Sequence, residues 1–232
     1  MSNTAIVLAG GNGSRMKSDI PKQYINIEDK PIIYYSLMAM EASAYIDRII
    51  LVTRAEDLDY CKEEIVDKYG FTKVTDIVAG GSERYLSVYN GLVYAKNSDY
   101  VWIHDGARPC VDEDMLARLS VTVQEFGTAV AGVLSKDTIK IVNSNGIVES
   151  TPDRSRLWQV QTPQVFKTSE LVQAYDRLMS AHNIGNITDD AMVMEHFGDL
   201  PVHMAEGNYC NIKVTTPEDI FLVKNFFEKI KK

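Results

Sequence analysis

Four short apolar runs rich in β-branched residues recur through the first half of the chain: Thr4–Ala9, Arg48–Thr53, Val74–Ala79 and Tyr100–His104. Nothing else in the sequence limits the fold as tightly. Strands that are apolar on both faces need cover on both faces, and parallel neighbours need a crossover long enough to hold a helix. Helical stretches stand where those crossovers must be. One runs from Pro31 to about Glu41, and one from about Asp57 to Tyr69 with Gly70 as a natural C′ residue. A third follows Gly80-Gly81 and ends near Ala95, and a fourth can be capped by Asp112 and ended by Gly127. The fold class that follows is α/β, a mostly parallel sheet with helices on both faces.

The pattern changes after Thr128. Thr128–Leu134 reads as another core strand. Thr138–Val142 and Ile147–Ser150 then flank Asn143-Ser-Asn-Gly146, a hairpin signal because Asn145 and Gly146 both tolerate positive φ. This hairpin holds too few large apolar residues for a core of its own, so it must lie on the main sheet or against another chain. Two further helices are expected at about Thr168–His182 and Thr188–Phe197, each with Thr as N-cap. A last one starts with Thr216 as cap, Pro217 at the first position, then Glu218 and Asp219 at the positive helix end. No repeat, low-complexity tract or linker interrupts the chain. The expected organisation is a single domain over residues 1–232, with an arm projecting at about 136–156.

Composition removes several functions. The 232 residues carry 24 Lys and Arg against 32 Asp and Glu, a formal charge of −8. A general nucleic-acid binder relies on a basic excess, so that partner is not expected. Cys61, Cys110 and Cys210 stand far apart, which gives neither a zinc-site spacing nor a disulfide framework. No basic n-region precedes an apolar stretch, and no run reaches the roughly 20 apolar residues that span a bilayer. A cytoplasmic protein without membrane partners is the expectation.

Chemistry is concentrated in the loops after the strands. Leu8-Ala-Gly-Gly-Asn-Gly-Ser-Arg-Met16 places glycines directly after the first strand, where backbone N–H groups can cradle phosphate. It lacks the Gly-Lys-Ser/Thr of a P-loop, and Met16 stands where a dinucleotide fingerprint needs its third glycine. A plain tight turn explains Gly11-x-Gly13 as well as a ligand does, but Arg15 and Lys22 flank it, and two cations suit a polyphosphate whose charge grows during reaction. His104-Asp-Gly-Ala-Arg-Pro109 ends the fourth strand, at the edge where α/β sheets bind ligands. Asp105 there can accept a ribose hydroxyl, help hold Mg²⁺, or serve as a turn residue paired with Arg108. His104 reads as a structural polar residue, since nothing beside it resembles a nucleophile. In Gly80-Gly-Ser-Glu-Arg-Tyr-Leu-Ser87, Ser82 is either an ordinary N-cap or a ligand contact. Arg154, Arg156 and Lys213 lie in loops or short strands, and Trp158 reads as a packing anchor.

The motifs LAGG-x-G-x-RM, PKQY, GGSER, HDGARP, DTIK, RLWQVQTPQ-x-F, TDDA and NIKVTTPED occur in this order across nearly the whole chain. In this the sequence resembles the 2-C-methyl-D-erythritol 4-phosphate cytidylyltransferases of the non-mevalonate isoprenoid pathway. The ribitol 5-phosphate cytidylyltransferases share the first loop, PKQ, QTPQ and the closing element, and are the alternative. A nicotinamide-dependent oxidoreductase is a remote one. The resemblance implies a Rossmann-like fold and transfer of CMP from CTP to the sugar phosphate, with Mg²⁺ held mainly through the CTP phosphates. It implies that Arg15 and Lys22 stabilise the transition state, while Arg154 and Lys213 position the sugar phosphate. Ala9, Gly10, Gly11, Gly13, Gly80, Gly81, Ser82 and Ser87 would surround the nucleotide together with Asp105 and Gly106. Asp105, Arg108, Thr162 and Thr188 would line the pocket. The arm would exchange between two subunits, so that Thr138 and Arg154 serve the neighbour's site in a homodimer.

Such a reaction needs no general base. A phosphate monoester with a second pKa of about 6 is already mostly ionised near neutral pH. The site has only to align two anions and offset their repulsion.

Overall fold

The computed structural model describes residues 1–11, 20–182 and 184–230, with side chains to 228. Seven strands form the central sheet: β1 (Asn3–Leu8), β4 (Arg48–Thr53), β5 (Val74–Ala79), β6 (Tyr100–Asp105), β7 (Thr128–Leu134), β10 (Trp158–Lys167) and β11 (Met204–Glu206). Their order is β11-β7-β10-β6-β1-β4-β5. All run parallel except β10, which is antiparallel to both its neighbours. Two short ribbons lie outside it, β2 (Asn26–Ile27) with β3 (Lys30–Pro31), and β8 (Ile141–Val142) with β9 (Val148–Ser150).

Alternation along each strand feeds two cores. Ala5 and Val7 of β1, Ile49 and Leu51 of β4, and Trp102 of β6 face one side, under α1 (Ile32–Ala42) and α4 (Glu113–Phe126). Ile6, Ile50, Val52, Val101 and Ile103 face the other, under α3 (Arg84–Ala95), α5 (Thr168–Ser180) and α6 (Asp190–Phe197). The expected two-sided burial is thus the observed one. A third, smaller cluster joins Ile27, Ile32, Cys110 and Val214 to Val223 of α7 (Pro217–Ile230).

Several stop and start signals act as expected. Gly70 and Gly127 take positive φ at helix ends, and the Asp112 carboxylate accepts from the Met115 N–H at 2.7 Å. At α7 the Asp219 carboxylate reaches back to accept from the N–H groups of Thr215 and Thr216. Others differ. The second helix is not uniform: α2 (Leu58–Tyr60) continues as a π-helix, Cys61–Asp67. Thr168 is the first residue of α5 rather than its cap. Asp189, not Thr188, caps α6: it is the residue directly before the helix, and its carboxylate accepts from the Met192 N–H at 3.0 Å. Glu83 occupies the N-cap position of α3, so Ser82 is not that helix's cap.

β10 was hidden in what reads as loops and short strands. Its interior Pro163 argues against a central strand, yet the ladder to β7 is interrupted between Val160 and Gln164, where the missing N–H costs nothing. The hairpin forms as a turn closed by Gly146 N–H to Asn143 C=O at 3.0 Å. Only Gly146 takes positive φ, so Asn145 does not share that role. The arm does not lie on the main sheet. Ile139, Ile141, Val142, Ile147 and Val148 are all exposed. Trp158 is also part-exposed, opposite Leu134, and is not a buried anchor.

Candidate active site

The carboxyl ends of β1 and β6 open into a cleft of about 260 Å³. Its floor is backbone. The Ala9 N–H donates to the Val52 carbonyl at 2.6 Å, and Gly80 N–H donates to Thr53 at 2.7 Å. Both glycine loops are thereby tied to β4. Gly10 and Gly11 line the opening, and a Cβ on Gly11 would meet nothing within 4 Å among the described residues. Gly81 has no such room, since a Cβ there would run into Leu86. The Ser87 hydroxyl accepts from Gly81 N–H at 3.1 Å and donates to the Glu83 carbonyl at 3.2 Å, fixing that turn. Gly106 is closely packed against Ile33 and the Leu8 carbonyl, and its N–H donates to that carbonyl at 2.9 Å. It keeps β6 pressed to β1 at the rim and does not line the cleft.

Two distant cations meet in this cleft. Lys22 opens a 3₁₀ turn, Lys22–Tyr24, whose Gln23 is buried and donates to the Ala9 carbonyl at 2.5 Å. Lys22 Nζ donates to the Val214 carbonyl at 3.1 Å, which sets it beside the loop carrying Lys213. That loop is stitched to the sheet. Val214 N–H donates to Ala107, and buried Asn211 donates from Nδ2 to the Thr162 carbonyl at 2.9 Å. Lys213 Nζ lies 2.6 Å from Asp105 Oδ2. Asp105 also pairs with Arg84 at 3.3 Å, so its partners are Lys213 and Arg84 rather than Arg108. Burial opposes its charge, but Arg84, Lys213 and Arg108 together hold the Asp105 carboxyl well below the usual carboxylate range.

A second hollow of about 270 Å³ adjoins the first and shares Arg84, Asp105 and Lys213 with it. Arg108, Thr162 and Thr188 line it, as expected for one pocket. Arg108 donates from Nη1 to the Asn211 carbonyl at 2.8 Å, and burial lowers its pKa despite Asp105 nearby. The Thr162 hydroxyl accepts from the Asp105 N–H at 3.0 Å and meets His104 Nδ1 at 3.1 Å. His104 is fully buried between Thr162 and the Arg108 carbonyl, and burial pushes its pKa down to about 4. It is a neutral structural ring.

Arg154 and Thr138 do not join these hollows within the chain. Arg154 donates to the Lys136 carbonyl at 2.9 Å and lines a separate depression with Leu134 and Asp153, while Thr138 sits on the exposed arm. Gly13 and Arg15 lie outside the described residues. Among the described residues no cluster of three His, Cys, Asp or Glu could hold a metal ion. Sequence reasoning missed Arg84, Gln23 and Asn211. Each sits inside a motif already singled out, but only the fold reveals that their side chains turn inward.

A glycine-floored, cation-lined cleft at the carboxyl edge of a mostly parallel α/β sheet is where proteins of this class bind nucleotides, and the comparisons make this one a nucleotidyltransferase. The family model described as 2-C-methyl-D-erythritol 4-phosphate cytidylyltransferase matches residues 3–229. A protein of that name from Lachnoclostridium phytofermentans is 50% identical over 95% of this chain and 94% of its own length. One from Lachnospira eligens is 46% identical over 97% and 99%. The crystal structure of 4-diphosphocytidyl-2C-methyl-D-erythritol synthase from Anaerococcus prevotii superposes with a TM-score of 0.85 at 31% identity, covering 98% of this chain and 96% of that one. The chain belongs to the 2-C-methyl-D-erythritol 4-phosphate cytidylyltransferase family. That membership decides against both the ribitol and the nicotinamide alternatives. Among the described residues no helix is long and apolar enough to cross a membrane.

Proposed function

We infer that the two adjoining hollows are the nucleotide and acceptor halves of one cytidylyl-transfer site. The enzyme moves CMP from CTP onto 2-C-methyl-D-erythritol 4-phosphate and releases pyrophosphate. The observation that carries this is the meeting of Lys22 and Lys213, from opposite ends of the chain, at the Asp105 edge of the sheet.

Ala9, Gly10, Gly11, Gly81, Ser82 and Ser87 surround the cytidine, with Gly80 and Gly106 shaping the loops behind it. Lys22 faces the triphosphate and stabilises the charge that grows on pyrophosphate, a role the family resemblance extends to Arg15, with Gly13 counted among the nucleotide-binding residues. Lys213, Arg108, Thr162 and Thr188 receive the acceptor phosphate, which attacks the α-phosphorus in line. Neutral His104 takes no proton in this step. Both Asp105 oxygens are engaged by cations, so the cleft offers a divalent ion no ready protein chelate. Mg²⁺ fits as a ligand of the triphosphate, where it would neutralise phosphate charge.

The chain acts as one domain whose arm reaches a second copy. Its exposed apolar row supports this, as does Arg154, a cation of the acceptor site that its own chain keeps apart from the cleft. In the homodimer Thr138 and Arg154 complete the neighbour's acceptor pocket. Pyrophosphate release measured with CTP, UTP, ATP and GTP against both sugar phosphates tests the reading. Turnover is expected with CTP and methylerythritol phosphate. No release with that pair, or faster release with ribitol 5-phosphate, would overturn it.

A further inference from the structure

Between the two hollows, and forming a wall of both, stands the side chain of Arg84. It belongs to the first turn of α3, yet it does not point to solvent: its side chain is 24% exposed and it touches two carboxylates at once. Nε lies 3.3 Å from Asp105 Oδ1, and Nη2 lies 2.8 Å from Asp190 Oδ2. Asp190 is wholly buried at the start of α6, where the Tyr175 hydroxyl donates to its other oxygen at 2.6 Å. Gln164 of β10 fixes that helix start, accepting from the N–H groups of Asp190 and Ala191 and donating to Asp189. A continuous set of contacts therefore runs from β10 through α6 and Arg84 to Asp105, and from Asp105 to Lys213.

We propose that Arg84, anchored by Asp190, is a positioning residue that orients Asp105 so that Lys213 is presented to the acceptor phosphate. The proposal rests on the transfer reaction inferred above. An aspartate beside a single lysine would form a one-to-one pair and draw the ammonium onto itself. Arg84 occupies the second oxygen and shares the carboxylate's charge, which leaves Lys213 able to face an incoming anion. Asp190 in turn gives the buried guanidinium its own counter-charge, so Arg84 does not add a free cation to the cleft. A planar, forked side chain is required to span two carboxylates, which lysine cannot do.

The test compares the wild-type enzyme with Arg84→Met/Asp190→Asn and Arg84→Lys by pyrophosphate release, with CTP and acceptor varied separately. The double variant removes both charges together, so no unpaired buried ion is left behind. The expected result is an acceptor KM raised at least ~10-fold, the scale for one lost charge-assisted contact, and raised clearly more than the CTP KM. Arg84→Lys keeps a cation opposite Asp190 and should fold even where the double variant does not; its acceptor KM is expected to rise ~3- to 10-fold on the same basis. Wild-type KM values for the acceptor in either folded variant would overturn the positioning role, as would an equal rise in both KM values. A wild-type chain that releases no pyrophosphate would overturn the transfer reading itself, and the proposal with it.

Discussion

Replacing Lys22 by Ala removes a charge without disturbing the packing around it. The Lys22 side chain is half-buried, and its ammonium rests on the Val214 carbonyl at 3.1 Å, so it is held in place before any ligand arrives. A phosphate oxygen about 4 Å from that ammonium, at an effective dielectric of about 20, would interact by about 4 kcal/mol. That is an upper bound on the catalytic effect, because only what is gained between ground state and transition state lowers the barrier. Loss of one preorganised stabiliser costs about 2.7–4 kcal/mol, or ~10²- to 10³-fold in kcat. Lys22→Ala is therefore expected to lower kcat at least ~10²-fold in a steady-state pyrophosphate assay at saturating CTP and acceptor. Gln23 and Tyr24 remain to hold the turn, through the Ala9 carbonyl and the Thr53 hydroxyl, so the thermal midpoint should hardly move. A variant that folds normally and turns over within tenfold of wild type would refute the role.

Three other expectations follow from the geometry. Gly81→Ala forces a methyl group into Leu86 and shifts the nucleotide loop, so the CTP KM should rise ~10-fold, about 1.4 kcal/mol of binding, with little change for the acceptor; an unchanged CTP KM would remove Gly81 from the nucleotide site. His104 takes a proton near pH 6.5 when unfolded but only near about 4 in the fold, so the unfolded state binds more protons in that window and stability falls as pH drops through it, by up to about 3 kcal/mol. Urea titrations at several pH values should show this dependence flattened in His104→Asn, and identical slopes would count against it. Charging the arm with Ile141→Asp and Val148→Asp should convert a dimer to a monomer in light scattering and lower turnover more than ~10-fold, the scale of a lost positioning contact; a wild-type chain that is already monomeric would disprove the shared site.

The parallel half of the sheet was legible because its strands are apolar on both faces, which few other arrangements permit. The Asp112 cap and the Gly127 stop were legible for the same kind of reason, as local chemistry with one good solution. What failed was local chemistry with several. Thr188 and Asp189 are both acceptable caps, and only where the helix begins, at Asp190, puts the aspartate in the cap position. β10 carries Gln159, Gln161, Gln164 and Pro163, a composition that resembles a loop; Gln161 and Gln164 are spent on Asn208 and on the start of α6, partners far along the chain. In the site, Lys22, Arg108 and Asp105 were legible as charges near glycines, and Lys213 as a cation in a late loop or short strand. Arg84 was not, because an arginine at the start of a helix ordinarily faces water, and its two carboxylates come from separate elements.

The bond from Lys22 to the Val214 carbonyl joins residues 192 positions apart. During synthesis the glycine loop emerges early, and β1 can pair with β4 and β6 long before the 208–214 loop has left the ribosome. A nascent chain at that stage lacks the carbonyl that holds one lysine and lacks the other lysine altogether. The acceptor half of the proposed site is thus completed only after the residues assigned to the nucleotide half have all been made.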